Sequence, residues 1–154
     1  MLNIVPGQRP ETDAGYLEMM TAVVFMGGLS RKVVMGKWDG FLAAFEEFDV
    51  NKVADFTDVD VERLSQDTRI VRYKAKIRAV VGNAGQMLEI AGDHSSFGAW
   101  LQKMIAEEGI DSTAQAIAKR FKYMSVESSR RYLFAVGEDI GEVDEKIRIK
   151  YGSA

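Results

Sequence analysis

Apolar residues recur at spacings of three and four along most of the chain, and strict alternation of apolar and polar residues over the length of a strand is hard to find. This pattern predicts an all-α protein. The most apolar stretch begins near Ala14, where Asp13 is a suitable N-cap, and ends at Gly27 and Gly28. Because apolar side chains surround nearly the whole circumference of this helix, we expect it to lie buried at the centre of the fold.

The rest of the pattern predicts seven further helices joined by short loops. Ser30 is the candidate cap of the second helix, and Gly92 and Gly137 are candidate stop signals. The predicted segments are 30–48, a short turn after Asp49, 58–64, 70–90, 97–105, 111–121 and 126–136. The expected fold is therefore a bundle of about eight helices.

The 154 residues are predicted to form one domain, because no internal repeat, low-complexity tract or linker divides them. Both prolines lie in the first ten residues, so residues 1–13 are expected to form an irregular arm. Residues 138–154 are expected to form a charged tail. Within the tail, residues 139–150 carry charges of both signs and are interpreted as a solvated terminal helix.

Composition narrows the possible functions. The chain has no cysteine and a single histidine, His94, interpreted as a loop residue, so disulfides and Cys/His metal sites are excluded and we expect neither a metal nor another cofactor. Its 20 basic and 23 acidic residues give a net charge of −3, which argues against nonspecific coating of nucleic acid but allows a local basic face. The longest apolar run, 22–26, is too short to cross a bilayer, so we expect a soluble, cytoplasmic protein.

Several short motifs occur in a recognisable order. They are Gly28-Leu29-Ser30, Phe48-Asp49, Asp60-Val61-Glu62-Arg63-Leu64, Ile70-Val71-Arg72, Asn83-Ala84 and Phe121-Lys122-Tyr123-Met124-Ser125. This order resembles the DNA-3-methyladenine glycosylase I family, an all-α branch of the helix-hairpin-helix DNA glycosylases. The resemblance implies a base-excision-repair enzyme that hydrolyses the N-glycosidic bond of a flipped alkylated purine of the 3-methyladenine type. Its partner would be double-stranded DNA with an alkylated base, and the working protein would associate with the nucleoid.

The resemblance places the family's helix-hairpin-helix around Ser125, where backbone N–H groups at a helix N-terminus could bind phosphate oxygens. The implied DNA-binding residues are Lys122, Met124, Ser125, Val126, Ser128, Arg130 and Arg131, with Arg72 and Lys76 assigned either to structure or to phosphate contact. Two features count against a tight hairpin: Ser125 replaces the usual glycine of the family, and Glu127 would repel a phosphate. Without the resemblance, the same residues are an ordinary capped helix pair.

The resemblance also implies a base pocket at the end of the first helix. Its candidate residues are Val23, Met26, Gly28, Leu29, Ser30 and Arg31; the alternative is that the apolar ones are ordinary core. Val23 replaces a family glutamate that contacts the flipped base, and Arg31 replaces an aromatic residue. Glu18 is not expected to substitute for that glutamate, because five helical residues rotate a side chain by roughly 140°. The family's zinc-binding residues are missing, so its zinc site is expected to be absent.

The chemistry does not require the lost glutamate. A methylated purine is already cationic and leaves without a proton donor, so losing the carboxylate is expected to lower rate and selectivity without preventing the reaction. Asp144, which lies 19 residues after Ser125, is the candidate catalytic carboxylate, and a surface salt bridge is the alternative. Three hypotheses follow: a working glycosylase with an altered pocket, a catalytically silent damaged-DNA-binding protein, and a fold reused for protein contacts.

Overall fold

The computed structural model describes residues 2–153, and within that range it contains α-helices and one 3₁₀ turn but no β-strand. The helices are α1 (Asp13–Met26), α2 (Arg31–Met35), α3 (Trp38–Ala44), α4 (Val50–Ala54), α5 (Asp58–Leu64), α6 (Lys74–His94), α7 (Phe97–Arg120), α8 (Val126–Ala135) and α9 (Glu145–Tyr151). The 3₁₀ turn Glu46–Phe48 joins α3 to α4. The predicted all-α, single-domain class is confirmed.

Helix α1 occupies the centre of the bundle, as its apolar composition predicts. Every residue from Gly15 to Met26 is buried, and the helix packs against α2, α4, α6, α7 and α8. Large aromatic side chains complete the surrounding core, and Phe25 of α1 meets Phe41 of α3 edge to face with ring centroids 4.8 Å apart. Because the middle of α1 is buried on all sides, only the two ends of the helix reach surface depressions, and the predicted base pocket lies at its C-terminal end.

The residue that caps α1 is Thr12, and the prediction of Asp13 was wrong by one position. The Thr12 hydroxyl accepts a hydrogen bond from the Gly15 N–H at 3.4 Å. Asp13 caps a different helix: its carboxylate accepts the N–H groups of Phe97 at 2.9 Å and Gly98 at 3.1 Å. Asp13 therefore accepts hydrogen bonds from two otherwise unpaired amides at the start of α7, the first of them 84 residues away in sequence.

Two other predicted boundaries differ from the structure, and a third is present as a kink. The segment 30–48 is divided into α2, α3 and the 3₁₀ turn. Helix α6 continues through Gly92 to His94, so His94 is a helical residue and not a loop residue. The two helices predicted at 97–105 and 111–121 are present as the two halves of α7, which are separated by a kink at Gly109, where φ is +85° and only glycine is unstrained.

The arm and the tail both pack onto the bundle. The Gly7 N–H donates to the Ala135 carbonyl at 2.7 Å, and Arg9 forms an ion pair with Glu138 at 3.2 Å. In the tail, α9 buries Tyr151 against the core, so the tail is docked and only partly solvated. None of the helices within residues 2–153 combines the length and the apolar character that a membrane span requires.

Candidate nucleic-acid interface

The loop between α7 and α8 forms a hairpin whose second helix is capped by Ser125. The Ser125 side chain accepts the Ser128 N–H at 3.0 Å. The N–H groups of Val126 and Glu127 have no acceptor among the described residues, as is usual for the first turn of a helix. These amides and the positive end of the helix dipole are exposed at the place where the sequence predicts phosphate contact, and exposed amides of this kind can bind an anion.

Buried side chains fix the conformation of this hairpin loop. Phe121 and Met124 point into the core, and each is less than 5% exposed. Between them, the buried side chain of Asn83 in α6 clamps the Lys122 backbone: it accepts the Lys122 N–H at 2.7 Å and donates to the Lys122 carbonyl at 3.2 Å. The loop is therefore held from both sides without the glycine that the family usually has at position 125.

Asn83 was not predicted as a site residue, although its position carried a signal. It lies on the buried stripe of α6 between Val80 and Met87, and it is 1% exposed. A polar amide on an apolar helical face requires a hydrogen-bonding partner, since leaving it unpaired costs about 1–3 kcal/mol. The sequence could thus have indicated a polar contact from this position, but not that the partner is the hairpin backbone.

The predicted basic residues of the hairpin differ in their availability. Arg130 pairs with Asp111, and Arg131 pairs with Glu127 at 2.5 Å. Lys122 is exposed and forms no ion pair within residues 2–153. A wide depression of about 510 Å³ runs along the hairpin, and the residues lining it include Lys119, Arg120 and Lys122 but no acidic residue.

The other two predicted basic residues, Arg72 and Lys76, differ in exposure and in their contacts. Arg72 is exposed and has no ion-pair partner in the described range. Lys76 is 8% exposed, and its ammonium donates to the Gly27 carbonyl at 2.8 Å. Burial lowers the pKa of Lys76, and the nearby Lys150 ammonium lowers it further. Of the two roles that the sequence left open, Lys76 therefore has the structural one, since it binds the end of α1.

The end of α1 is closed by the C-terminal helix. One guanidinium nitrogen of Arg31 donates to the carbonyls of Ile149 and Gly152, each at 2.7 Å. The Lys150 ammonium donates to the Met26 carbonyl at 2.8 Å. Arg31 thus serves as a clamp for α9, and this contact was not foreseen from the sequence.

The predicted base-pocket residues do not line one common cavity. Val23 and Met26 are each 3% exposed and belong to the core, whereas a shallow depression of about 570 Å³ is lined by the loop and by α9. Its lining residues are Gly28, Leu29, Ser30, Arg31, Lys32, Ile149 and Lys150, and none of them is acidic. Ser30 caps α2 by accepting the Val33 N–H at 3.2 Å.

The acidic candidates lie away from this depression. Glu18 is 2% exposed and accepts hydrogen bonds from the Asn3 N–H at 2.8 Å and the Trp38 indole N–H at 2.9 Å. Burial raises the pKa of Glu18, and the Trp38 hydrogen bond partly offsets that rise. Asp144 caps α9 by accepting the Ile147 N–H at 2.9 Å.

A zinc site of the kind found in the family does not fit these residues. The chain has no cysteine and one histidine, and no three His, Asp or Glu side chains between positions 2 and 153 are grouped so that they could hold a metal ion. The arm is joined to α8 by a backbone contact, the hydrogen bond between Gly7 and Ala135.

Sequence comparison relates the chain to enzymes of DNA repair. The sequence model of the methyladenine glycosylase family matches residues 7–131. DNA-3-methyladenine glycosylase 1 of Escherichia coli (strain K12) is 40% identical over 89 residues, which cover 57% of this chain and 48% of that protein. DNA-3-methyladenine glycosylase of Haemophilus influenzae is 33% identical over 95 residues, which cover 60% and 51%. The chain thus spans about half the length of these curated relatives.

Structural comparison finds the same relationship over most of the chain. A crystal structure of 3-methyladenine DNA glycosylase I superposes with a TM-score of 0.77 at 26% identity and covers 86% of this chain and 83% of that one. A structure of the Staphylococcus aureus enzyme, determined to explain 3-methyladenine recognition, superposes with a TM-score of 0.78 at 25% identity and covers 91% and 85%. Helix α9 lies outside the region that the family model matches.

Proposed function

The chain belongs to the methyladenine glycosylase family, and we propose that it hydrolyses the N-glycosidic bond of an alkylated purine of the 3-methyladenine type in double-stranded DNA. The observation that carries this proposal is the hairpin before α8. It combines free helix amides, the unpaired cation Lys122 and a loop conformation that Asn83 fixes from beneath. These are the features that a protein needs to bind a phosphate backbone in a set register.

In this proposal the protein contributes binding and extrusion more than proton transfer. A 3-methylated purine carries a positive charge, so the bond to the sugar breaks without protonation of the base. The protein binds the duplex through the hairpin, holds the damaged nucleotide out of the stack near the loop 28–30, and excludes bulk water while the electron pair of the broken bond leaves with the base, which becomes neutral. One water then adds to C1′ of the sugar cation and loses a proton to solvent, which completes the hydrolysis. Asp144, the catalytic carboxylate expected from the sequence, caps α9 and does not line the depression beside this loop, so its catalytic role is a separate proposal that its own substitution tests. No cofactor takes part.

The test is release of free base from a methylated duplex. Duplex DNA treated with a methylating agent is incubated with the protein, and the released bases are separated and identified by mass spectrometry. The E. coli relative serves as the positive control, and heated protein and buffer serve as negative controls. We expect 3-methyladenine above the buffer level; release at the buffer level, from protein shown to be folded, would refute the proposal.

A second candidate function is recognition of damaged DNA without catalysis. It is supported by the end of α1, where Val23 offers no carboxylate and where Arg31 and Lys150 place positive charge beside the depression. Such charge would repel a cationic base. This candidate predicts salt-sensitive binding of duplex DNA whose base content stays unchanged after incubation.

A substitution separates the two candidates. Val23→Glu returns a carboxylate to the position where the family has one. If only the pocket was lost, we expect the variant to release more base than the wild-type protein. Val23→Gln is the matched control because it has nearly the same size but no charge. Since position 23 is buried, circular dichroism must first show that both variants fold.

A further inference from the structure

Large apolar side chains gather at one place on the surface. Tyr73, Tyr123 and Val126 are 50%, 48% and 45% exposed, and they are three of the seven large apolar residues that stand out as exposed in the described part of the chain. The rings of Tyr73 and Tyr123 are 6.3 Å apart between centroids, and their planes meet at 82°. This pair joins the start of α6 to the hairpin before α8.

The tyrosine pair lies between the two parts of the proposed DNA-binding face. The Lys76 ammonium is 5.3 Å from the centroid of Tyr73, and the same ammonium binds the Gly27 carbonyl. A continuous line of contacts therefore runs from the loop after α1, through Lys76 and Tyr73, to Tyr123 in the hairpin. A duplex bound by the hairpin amides would extend over the tyrosines before it reached the end of α1.

The charges around the pair suit a polyanion. Arg72, Lys119 and Lys122 are exposed and form no ion pair within residues 2–153. The two nearby carboxylates, Glu62 and Glu127, are already paired with Lys74 and Arg131. An exposed aromatic pair surrounded by unpaired cations is a surface on which nucleic acid bases stack while the phosphates are neutralised.

The hairpin holds Tyr123 in a projecting position. Its backbone adopts φ of +59°, a conformation that L-residues rarely adopt, while Asn83 fixes the preceding residue and the buried Met124 fixes the following one. This strained conformation keeps the Tyr123 ring about half exposed beside Tyr73, and strained backbone of this kind is often found at binding sites.

We propose that Tyr123 is the positioning residue that stacks on the base exposed in the bound duplex beside a nucleotide that has left the stack, and that Tyr73 buttresses it. Because the two rings are nearly perpendicular, only one of them can lie parallel to a base pair. Tyr123 has this role because it lies within the hairpin that binds the phosphates, whereas Tyr73 lies behind it against Lys76. The inference rests on the duplex binding in the proposed function, but not on base release.

The experiment measures the affinity of the full chain for a duplex that carries 2-aminopurine beside an abasic site. Tyr123→Ala is compared with Tyr123→Phe, which keeps the ring, and with Val59→Ala, which removes an apolar side chain of α5 that is 77% exposed. We expect Tyr123→Ala to weaken binding at least about fivefold and to abolish the change in 2-aminopurine fluorescence. Tyr123→Phe and Val59→Ala should stay within about twofold of the wild-type protein.

Salt dependence distinguishes stacking from charge. Tyr123→Ala should keep the wild-type slope of log affinity against log salt, because the ring contacts no phosphate, whereas Lys122→Met should reduce that slope by about one. Equal affinity and equal 2-aminopurine signal for wild-type and Tyr123→Ala protein would overturn the inference, as would wild-type protein that fails to bind the duplex. Duplex binding without base release would contradict only the proposed function, so the two failures can be told apart.

Discussion

The clamp between Arg31 and α9 gives the sharpest prediction about stability. A helix of seven residues is not stable alone in water, so α9 must be held by its contacts with the rest of the protein. These contacts are the buried ring of Tyr151, the bond from Lys150 to Met26, and the two bonds from Arg31 to the Ile149 and Gly152 carbonyls. We expect Arg31→Ala to undock α9 locally while the bundle stays folded.

The expected size of this effect follows from the two hydrogen bonds. A hydrogen bond to a charged group contributes about 1.5–3 kcal/mol when shielded from water. The bond to Ile149 is exposed and that to Gly152 is only partly buried, so we take about 2 kcal/mol for the pair together. That value corresponds to a roughly 30-fold rise in the fraction of molecules in which α9 is open.

Amide hydrogen exchange measures this opening directly. The reporters are the N–H groups of Arg148 and Gly152, which donate to the Asp144 and Arg148 carbonyls. Their protection should fall about 30-fold in Arg31→Ala, while protection within α1 and α6 stays unchanged. Lys32→Ala is the matched control, because Lys32 lines the same depression without binding α9. Protection of α9 equal to that of the wild-type protein would show that Arg31 is not the clamp.

Three further predictions concern Glu18, Asn83 and Asp144. Burial raises the pKa of Glu18 in the folded state, so the folded protein binds more protons than the unfolded chain, and stability falls as the pH rises above the ordinary pKa of 4.5. Glu18→Gln should therefore raise Tm at pH 8, and the difference in Tm from the wild-type protein should shrink towards pH 4.5. A difference in Tm that does not change with pH would contradict this account. Asn83→Ala should lower the free energy of unfolding by about 1–3 kcal/mol, because it leaves the Lys122 backbone unpaired. At a salt concentration high enough to screen charge, it should also weaken duplex binding more than Asn83→Asp does. Denaturant titration measures the first effect and fluorescence anisotropy measures the second. Asp144→Asn keeps an N-cap for α9, so Tm should be unchanged. If Asp144 stabilises the sugar cation, base release should fall about 100-fold or more. Unchanged release would mean that Asp144 only caps α9.

The elements predicted best are those whose signals are local. The resemblance of residues 121–125 to the family located the hairpin, and the structure adds a local reason for its position, because Ser125 caps α8 by accepting the N–H of Ser128, three residues away. The burial of α1 follows from its own composition, since a helix that is apolar all round requires neighbours on every side. The order of short sequence motifs along the chain, from the end of α1 to the hairpin, was sufficient to indicate the family.

The features that could not be predicted depend on distant partners. Arg31 and Gly152 are 121 residues apart, and no local pattern indicates that an arginine after a Gly-Leu-Ser motif binds the carbonyls of a tail. Thr12 and Asp13 are both good capping residues, so only the fold shows that Asp13 caps α7. The predicted base pocket placed Val23 beside Arg31, whereas the structure buries Val23 and leaves Arg31 at the surface against α9.

The arm and the tail meet at one seam, and this arrangement determines how the molecule would respond to mechanical force. Gly7 lies against the backbone of Ser153, and its N–H binds Ala135. A force applied between positions 7 and 153 would load these contacts one after another, as in unzipping, and not all at once. Stretching in an optical trap should therefore release α9 first, at low force and with a gain of about 15 Å in length, before the bundle around α1 gives way.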